Sequence, residues 1–304
     1  MKILLTTIFY IILTAFFIYV FIKEKKISEK LKKNQDKFVE NVLYKMEVVS
    51  EKTHKNVKKI FNVIFTVIIA IALVLVLQRF YVGNFNIPTG SMIPTIEIKD
   101  RVFANMVKYK FIDPKREEII VFKEPIENKN LYTKRIMGLP GEKISIKDGS
   151  LFINDVAIES RRYSDLGIEN STWIVPKKGD VLKIVPAGNY ASIYKANSID
   201  IAEVQKALKE NAAMISNAMP QLQFYVNGVE TGPVLDFIHD NEILSKLLNG
   251  ETVEITLAEN YFFALGDNTD GSYDSRFWGF VAKNRIRGEV LVRFWPLNRM
   301  GLVK

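Results

Sequence analysis

Two long apolar runs near the N-terminus constrain this chain more than any other feature of its sequence. Residues 3–22 form an uncharged run of about 20 residues, and residues 60–78 form a second run of about 19. Each run, as a helix, is long enough to cross a hydrocarbon core of roughly 30 Å. The first run is too long for the apolar part of a cleaved signal peptide, and no small-x-small site follows it. The sequence therefore predicts two transmembrane helices, over 1–22 and 60–80.

Charge predicts how these helices are oriented. The segment between them, residues 23–59, carries twelve Lys and six Asp or Glu, whereas the tail before the first run offers only Lys2. The positive-inside rule therefore places the segment in the cytoplasm and both chain ends outside. Much of the net charge of +8 lies in this segment. This positive charge favours contact of the segment with anionic membrane phospholipids. We expect no nucleic-acid partner, because no DNA-reading motif is found.

The residues after the second run predict a mainly antiparallel β domain. Asp148-Gly149 and Asn227-Gly228 are hairpin signals. Strands are predicted at 101–110, 118–122, 131–137, 143–147, 150–158 and 285–294. Because the chain has no cysteine, this domain has no disulfide support, and a thiol protease and a Cys-ligated zinc site are both excluded.

Residues 159–250 have a different character and are interpreted as an α+β insertion. Ser198 is a candidate N-cap for a helix over 199–219, and a second helical stretch over 234–249 ends at Gly250. The predicted β catalytic core therefore consists of residues 81–158 and 251–304. The insertion contains no pattern that indicates catalysis.

Elimination limits the chemistry. His54 falls in the predicted cytoplasmic segment, so His239 is the one candidate for a Ser-His pair, and a lone His in a helical stretch is more often a polar surface or core residue. No HExxH motif is present, which excludes a zincin. A hydrolase with this sequence must use Lys or a carboxylate as its base.

Three strings could carry such chemistry. In residues 87–95 (IPTGSMIPT), two prolines and Gly90 present Ser91 on a stiff turn with a backbone N–H beside it. In residues 132–142 (YTKRIMGLPGE), Lys134 lies in an apolar strand, where burial would lower its pKa and make it a general base.

The third string, residues 266–281 (GDNTDGSYDSRFWGFV), is rich in residues that lock loops through side-chain-to-backbone bonds. Asp274 and Arg276 have a spacing that suits an ion pair. A calcium loop fails on register, because Gly266 and Phe277 would occupy ligand positions.

Together, and in this order after two anchors, the three strings resemble the conserved boxes of bacterial type I signal peptidases, also called leader peptidases. The resemblance is close over 81–155 and 260–296. It implies a membrane-anchored, mainly β serine endopeptidase that cuts signal peptides from exported preproteins after small residues at −1 and −3, without metal or cofactor. It also implies a multi-pass protein of the bacterial inner membrane, with the catalytic domain on the extracytoplasmic side.

The resemblance assigns a role to each matching position. Ser91 is the nucleophile, Lys134 is the base, and the Thr89 hydroxyl and the Ser91 N–H form the oxyanion hole. Ser272 orients the lysine amine, and Asp274 and Arg276 brace its loop. The residues that line the substrate pockets are Phe85, Ile87, Met92, Tyr132 and Thr133.

The sequence departs from the family pattern at a few places. Thr269 stands where the family usually has Arg, Glu117-Glu118 where it has Gly-Asp, and Glu142 where it has Asp. Thr133 is more polar than the aliphatic residue often found there. None of these changes removes a residue of the Ser-Lys dyad.

Two other interpretations stay open. Residues 192–195 (SIYK) match the SxxK pattern of penicillin-recognising enzymes, but no SDN or KTG element accompanies it. A tethered scaffold that binds exported chains without cutting them is the second, and the presence of both dyad residues argues against it.

Overall fold

The computed structural model describes residues 2–45, 51–126, 128–163, 171–186 and 222–303. The chain divides into two compact units, residues 1–82 and 83–304. The predicted helix over 199–219 and the SxxK pattern at 192–195 lie outside the described residues.

The N-terminal unit consists of three helices, α1 (Lys2–Ile22), α2 (Glu24–Lys45) and α3 (Glu51–Phe80). Within the described residues, one helical segment is long and apolar enough to cross a membrane, Lys55–Gln78 in α3; Ile8–Ile22 in α1 is a shorter apolar helix. The polar helix α2 packs on the first half of α3, where the Gln35 side chain donates a hydrogen bond to Asn62 Oδ1 at 2.9 Å.

The C-terminal unit is built from three antiparallel sheets. The largest has the strand order β1-β2-β15-β3-β4-β13-β14, with β16 beside β15; the other two have the orders β7-β6-β5-β8 and β11-β10-β9-β12. Every strand pair whose register the structure defines is antiparallel. The predicted mainly antiparallel β domain is therefore confirmed. The strands are β1 (Val82–Asn86), β2 (Arg101–Asn105), β3 (Ile119–Lys123), β4 (Leu131–Gly138), β5 (Lys143–Lys147), β6 (Ser150–Ile153), β7 (Val156–Arg162), β8 (Thr172–Ile174), β9 (Val181–Pro186), β10 (Leu222–Val226), β11 (Val229–Thr231), β12 (Val253–Thr256), β13 (Tyr261–Leu265), β14 (Val281–Ala282), β15 (Ile286–Trp295) and β16 (Gly301–Leu302).

The core explains why the central strands read as continuous apolar runs. All five residues of β13 and the first four of β3 are buried, as expected for strands covered on both faces. Trp173 of β8 lies 5.1 Å from Phe263 of β13, ring centre to ring centre, and so joins two of the sheets. Two short helices, α4 (Asn241–Leu248) and α5 (Ser275–Trp278), complete the described part of this unit.

Two strand predictions are wrong in detail. The predicted strand 150–158 is two strands, β6 and β7, joined at Asn154-Asp155, whose φ angles of 50° and 65° lie in the left-handed region that Asn and Asp tolerate. The predicted strand 101–110 ends at Asn105, because the Asn105 side chain accepts hydrogen bonds from the N–H groups of Val107 and Lys108 and starts a turn.

The predicted helix over 234–249 is also wrong in detail. A 3-10 helix (Leu235–His239) is separated from α4 by the extended residue Asp240, whose carboxylate caps the N–H groups of Glu242 and Ile243. The predicted end at Gly250 is confirmed, with a φ of 81°. Strand β12, in the range predicted as core, pairs with β9 in the range predicted as insertion.

Candidate active site

The loop between β1 and β2 carries Ser91. Its two arms are joined by backbone hydrogen bonds from Ile87 to Asp100 (2.9 Å) and from Lys99 to Ile87 (2.8 Å). Met92 is buried beside Ser91, whose own exposed fraction is 9%. Within the described residues, the N–H of Ser91 makes no hydrogen bond. The loop thus offers a nearly buried hydroxyl beside a backbone donor that is available to a ligand.

Strand β4 carries Lys134 into the same place. Lys134 pairs with Ile120 of the buried strand β3, and only 4% of Lys134 is exposed. Its Nζ lies 2.7 Å from Oγ of Ser91, which is hydrogen-bond distance. The two residues are 43 positions apart in the chain, and the fold brings them together.

The surroundings of Lys134 favour a neutral amine. Burial lowers the pKa of Lys134 to about 8, because an ammonium loses its hydration there. The nearby Arg276 guanidinium acts in the same direction on this pKa, whereas the carboxylates of Asp274 and Asp267 raise it. A neutral amine at 2.7 Å can accept the hydroxyl proton of Ser91.

The loop after β13 fastens the Ser91 loop in place. The backbone N–H of Asn268 donates to the Ser91 carbonyl oxygen at 3.1 Å, and its side-chain amide donates to the Gly90 carbonyl oxygen at 3.1 Å. Its Oδ1 accepts from the N–H of Gly271. Asn268 therefore binds the Ser91 loop and also holds its own loop together.

Gly266 makes the close approach possible. A Cβ at this position would lie 2.1 Å from Ser272 Oγ and 2.5 Å from the Ser91 carbonyl oxygen. The β13–β4 register ends with the pair of Leu265 and Arg135; Gly266 follows Leu265 in the chain, and Lys134 precedes Arg135. No side chain other than hydrogen fits between the two loops at this point.

The Asp274–Arg276 pair lies in the buried base of the same loop. Nε and Nη2 of Arg276 contact the two carboxylate oxygens of Asp274 at 2.8 and 3.0 Å, and both side chains are fully buried. The second oxygen of Asp274 also accepts from the Gly266 N–H at 3.0 Å. Ser272 Oγ is buried and makes no hydrogen bond among the described residues, so its predicted role in orienting Lys134 stays a prediction.

A second buried ion pair bridges β4 and the loop after β13. Nε and Nη2 of Arg135 contact the two oxygens of Asp267 at 2.9 and 2.6 Å, and Nη1 donates to the Glu117 carbonyl oxygen. Arg135 follows Lys134 directly in β4. This bidentate contact therefore fixes the part of the strand that carries Lys134.

A cavity of about 470 Å³ opens beside Ser91 and Lys134. All five predicted pocket residues and Thr89 line it, together with residues that the sequence reasoning did not single out. The predicted ones are Phe85, Ile87, Met92, Tyr132 and Thr133; the others are Asn86, Pro88, Val121, Asn130, Leu131, Gly271 and Tyr273.

Sequence reasoning missed the roles of Asn268, Arg135 and Asp267, although all three stand inside the strings it quoted. The signal that could have identified them is their position in the sequence, close to the residues predicted to act in catalysis. His239, the other titratable candidate, instead contacts the Pro125 carbonyl oxygen through Nε2 at 2.9 Å. The structure thus brings a hydroxyl, a buried amine and a backbone donor to one cavity, a set that suits acyl transfer.

Comparison with known proteins gives a consistent result. The family model "Signal peptidase, peptidase S26" matches residues 60–295, more than half of the chain. Signal peptidase I of Buchnera aphidicola subsp. Baizongia pistaciae is 29% identical over 256 residues, which covers 78% of this chain and 76% of that protein. A probable signal peptidase I-2 of Synechocystis is 26% identical over 243 residues, covering 78% and 74%.

Among solved structures, a signal peptidase I from Enterococcus faecalis covers 59% of this chain and 97% of its own chain at 22% identity. Its TM-score of 0.26 is too low to support a structural argument. The family match alone covers the β domain up to residue 295 and all three strings. The chain therefore belongs to the signal peptidase family, peptidase S26, and is a serine endopeptidase.

Proposed function

We propose that this enzyme removes N-terminal signal peptides from exported preproteins, cutting after small residues at −1 and −3 through a Ser91–Lys134 dyad. The observation that carries the proposal is the 2.7 Å contact between Ser91 Oγ and the buried amine of Lys134 at the edge of a cavity. Two relatives named signal peptidase I or probable signal peptidase I-2 support the substrate class.

The proposed reaction proceeds in two steps. Ser91 Oγ attacks the scissile carbonyl carbon while Lys134 Nζ takes the hydroxyl proton. The oxyanion that forms accepts hydrogen bonds from the Ser91 N–H and the Thr89 hydroxyl. The C–N bond then breaks, and the leaving amine takes the proton from Lys134. In the second step Lys134 deprotonates a water molecule, which hydrolyses the ester, and Ser91 regains its proton.

The cavity supports selection of small side chains. Its walls next to Ser91 include the apolar residues Ile87, Met92 and Val121, and all three are almost fully buried. A cavity of about 470 Å³ must hold several residues of an extended peptide. Bulky side chains at −1 and −3 would therefore clash with rigid core residues.

Membrane anchoring supports the same function through proximity. The large apolar side chains along α3 from Ile60 to Leu77 are mostly exposed, as a lipid-facing helix requires. We propose that α1 also spans the inner membrane, that residues 23–59 face the cytoplasm beside anionic phospholipids, and that the catalytic domain is extracytoplasmic. A signal peptide held in the same bilayer would meet the enzyme at high effective concentration.

Cleavage of a preprotein with an Ala-x-Ala site tests the function. We expect the purified full-length enzyme to cut after the second Ala, as mapped by mass spectrometry, and a Ser91→Ala variant to be inactive. Replacing the Ala at −1 or −3 of the substrate by Phe should abolish cutting, whereas Phe at −2 should not. Cutting by Ser91→Ala, or equal cutting of all substrates, would contradict the proposal.

Cysteine labelling tests the topology, because the chain contains no native cysteine. We expect a membrane-impermeant maleimide to label a Val156→Cys variant but not a Lys37→Cys variant when the cytoplasmic membrane is intact. Both should be labelled after detergent is added. The reverse pattern would contradict the proposed orientation.

A further inference from the structure

The Arg276 guanidinium is buried without a full set of hydrogen-bond acceptors. Nε and Nη2 bind the Asp274 carboxylate, and Nη2 also donates to the Ser272 carbonyl oxygen at 3.1 Å. Nη1 has no hydrogen-bond partner within the described residues. A buried cation in this position needs another source of stabilisation.

Two aromatic rings supply it. The guanidinium carbon of Arg276 lies 4.8 Å from the centre of the Tyr163 ring and 5.5 Å from that of Phe277. Both distances are within the range of a cation–π contact, which is strongest when the cation is desolvated. Tyr163 is the nearer ring and is 4% exposed, whereas Phe277 is 39% exposed. Tyr163 therefore contributes the main contact.

Tyr163 is fixed by a turn that the sequence already marked. Its N–H donates to the Gly149 carbonyl oxygen at 2.8 Å, at the β5–β6 turn formed by Asp148 and Gly149. Gly149 has a φ of 71°, and a Cβ there would lie 2.8 Å from the Tyr163 carbonyl oxygen. The turn therefore holds the backbone that carries the Tyr163 ring.

We propose that Tyr163 is a positioning residue for the Ser91–Lys134 reaction. Its ring holds the Arg276 guanidinium, and through it the Asp274 carboxylate and the loop beside the dyad. This inference rests on the proposed function and gives the start of the predicted insertion, residues 159–250, a role in catalysis.

The contacts define how the effect reaches the dyad. Asp274 accepts from the Gly266 N–H, and Gly266 packs against the Ser91 carbonyl oxygen. The charged groups that act on Lys134 are Asp274, Asp267 and Arg276. If the guanidinium is held less firmly, water reaches the base of the loop and Lys134 is less desolvated. Activity should then require a higher pH.

A fluorination series at residue 163 tests the ring without changing its shape much. Fluorine withdraws electron density from the ring face and weakens a cation–π contact, while packing is retained. We would place Phe, 4-fluoro-Phe, 3,5-difluoro-Phe and 3,4,5-trifluoro-Phe at position 163 of the full-length enzyme. For each we would measure kcat, KM and the pH profile of preprotein cleavage.

We expect Tyr163→Phe to keep most of the wild-type kcat, and kcat to fall stepwise to about one tenth in the trifluoro variant. KM should stay within about twofold, and the acidic limb of the profile should move to higher pH. The same series at Phe224, a buried ring that packs on Phe237, is the matched control and should leave kcat unchanged.

The outcomes separate this inference from the proposed function. A wild-type enzyme that cuts no preprotein would contradict the function itself. If the wild type cuts and the series at 163 is flat, the positioning role alone is overturned. A large loss in Tyr163→Phe, or equal losses at 163 and 224, would overturn it as well.

Discussion

In the proposed mechanism, the ionisation of one buried group, Lys134, sets the pH dependence of cleavage. Burial lowers its pKa from 10.5 to about 8. A difference of this size corresponds to about 3 kcal/mol between the two protonation states. At pH 7 it raises the neutral fraction about 300-fold, from roughly 0.03% to roughly 9% of molecules.

The direction follows from the role of the amine. In the proposed mechanism the active form of Lys134 is the neutral one, so kcat/KM should rise as pH rises through about 8 and level off above it. Between pH 7 and pH 9 the neutral fraction increases about tenfold, and so should kcat/KM. A bound peptide removes further water from the cavity, so the midpoint of the kcat profile should lie below that of kcat/KM.

The assay is cleavage of a soluble peptide with an Ala-x-Ala site by the full-length enzyme between pH 5 and pH 10. A Lys134→Arg variant is the control, because a guanidinium stays protonated throughout this range and cannot act as base. We expect it to be inactive at every pH. A flat profile from pH 5 to 9, or an active Lys134→Arg variant, would refute the assignment of a lysine base.

Two further predictions concern the loop after β13. Asn268→Ala should lower kcat about tenfold with little change in KM, because it removes the side-chain hydrogen bond to the Ser91 loop; unchanged kcat in steady-state kinetics would contradict this. Gly266→Ala should lose more than about 99% of activity, because its Cβ would lie 2.1 Å from Ser272 Oγ, whereas Gly301→Ala, with open space around it, should match wild type in the same assay.

The sequence indicated Ser91 and Lys134 as candidate site residues, and the structure places their side chains 2.7 Å apart. Each has a local signature, a stiff Pro-Gly turn and a lysine in an apolar strand, but their roles were implied by the resemblance of three ordered strings to one family. The helix break at Asp240 and the extra turn at Asn154-Asp155 were missed because Asp and Asn fit both regular structure and turns, and tertiary packing decides between them.

Long-range contacts could not be predicted from the sequence. Arg135 and Asp267 are 132 positions apart, and their ion pair depends on the β4–β13 register. The contact of Tyr163 with Arg276 could not be predicted either, because it depends on how the β7-β6-β5-β8 sheet packs against the loop after β13. A pattern along one chain indicates which residues are buried but not which of them meet.

The measurement that tests the dyad most directly is single-turnover cleavage of one preprotein by wild type, Lys134→Ala and Lys143→Ala. Lys143 is the matched control, since its side chain is 42% exposed and pairs with the surface residue Asp155. We predict that Lys143→Ala cuts at the wild-type rate, whereas Lys134→Ala loses at least about a thousandfold, because Ser91 is left without a base. Wild-type cutting by a folded Lys134→Ala variant would contradict the Ser91–Lys134 mechanism.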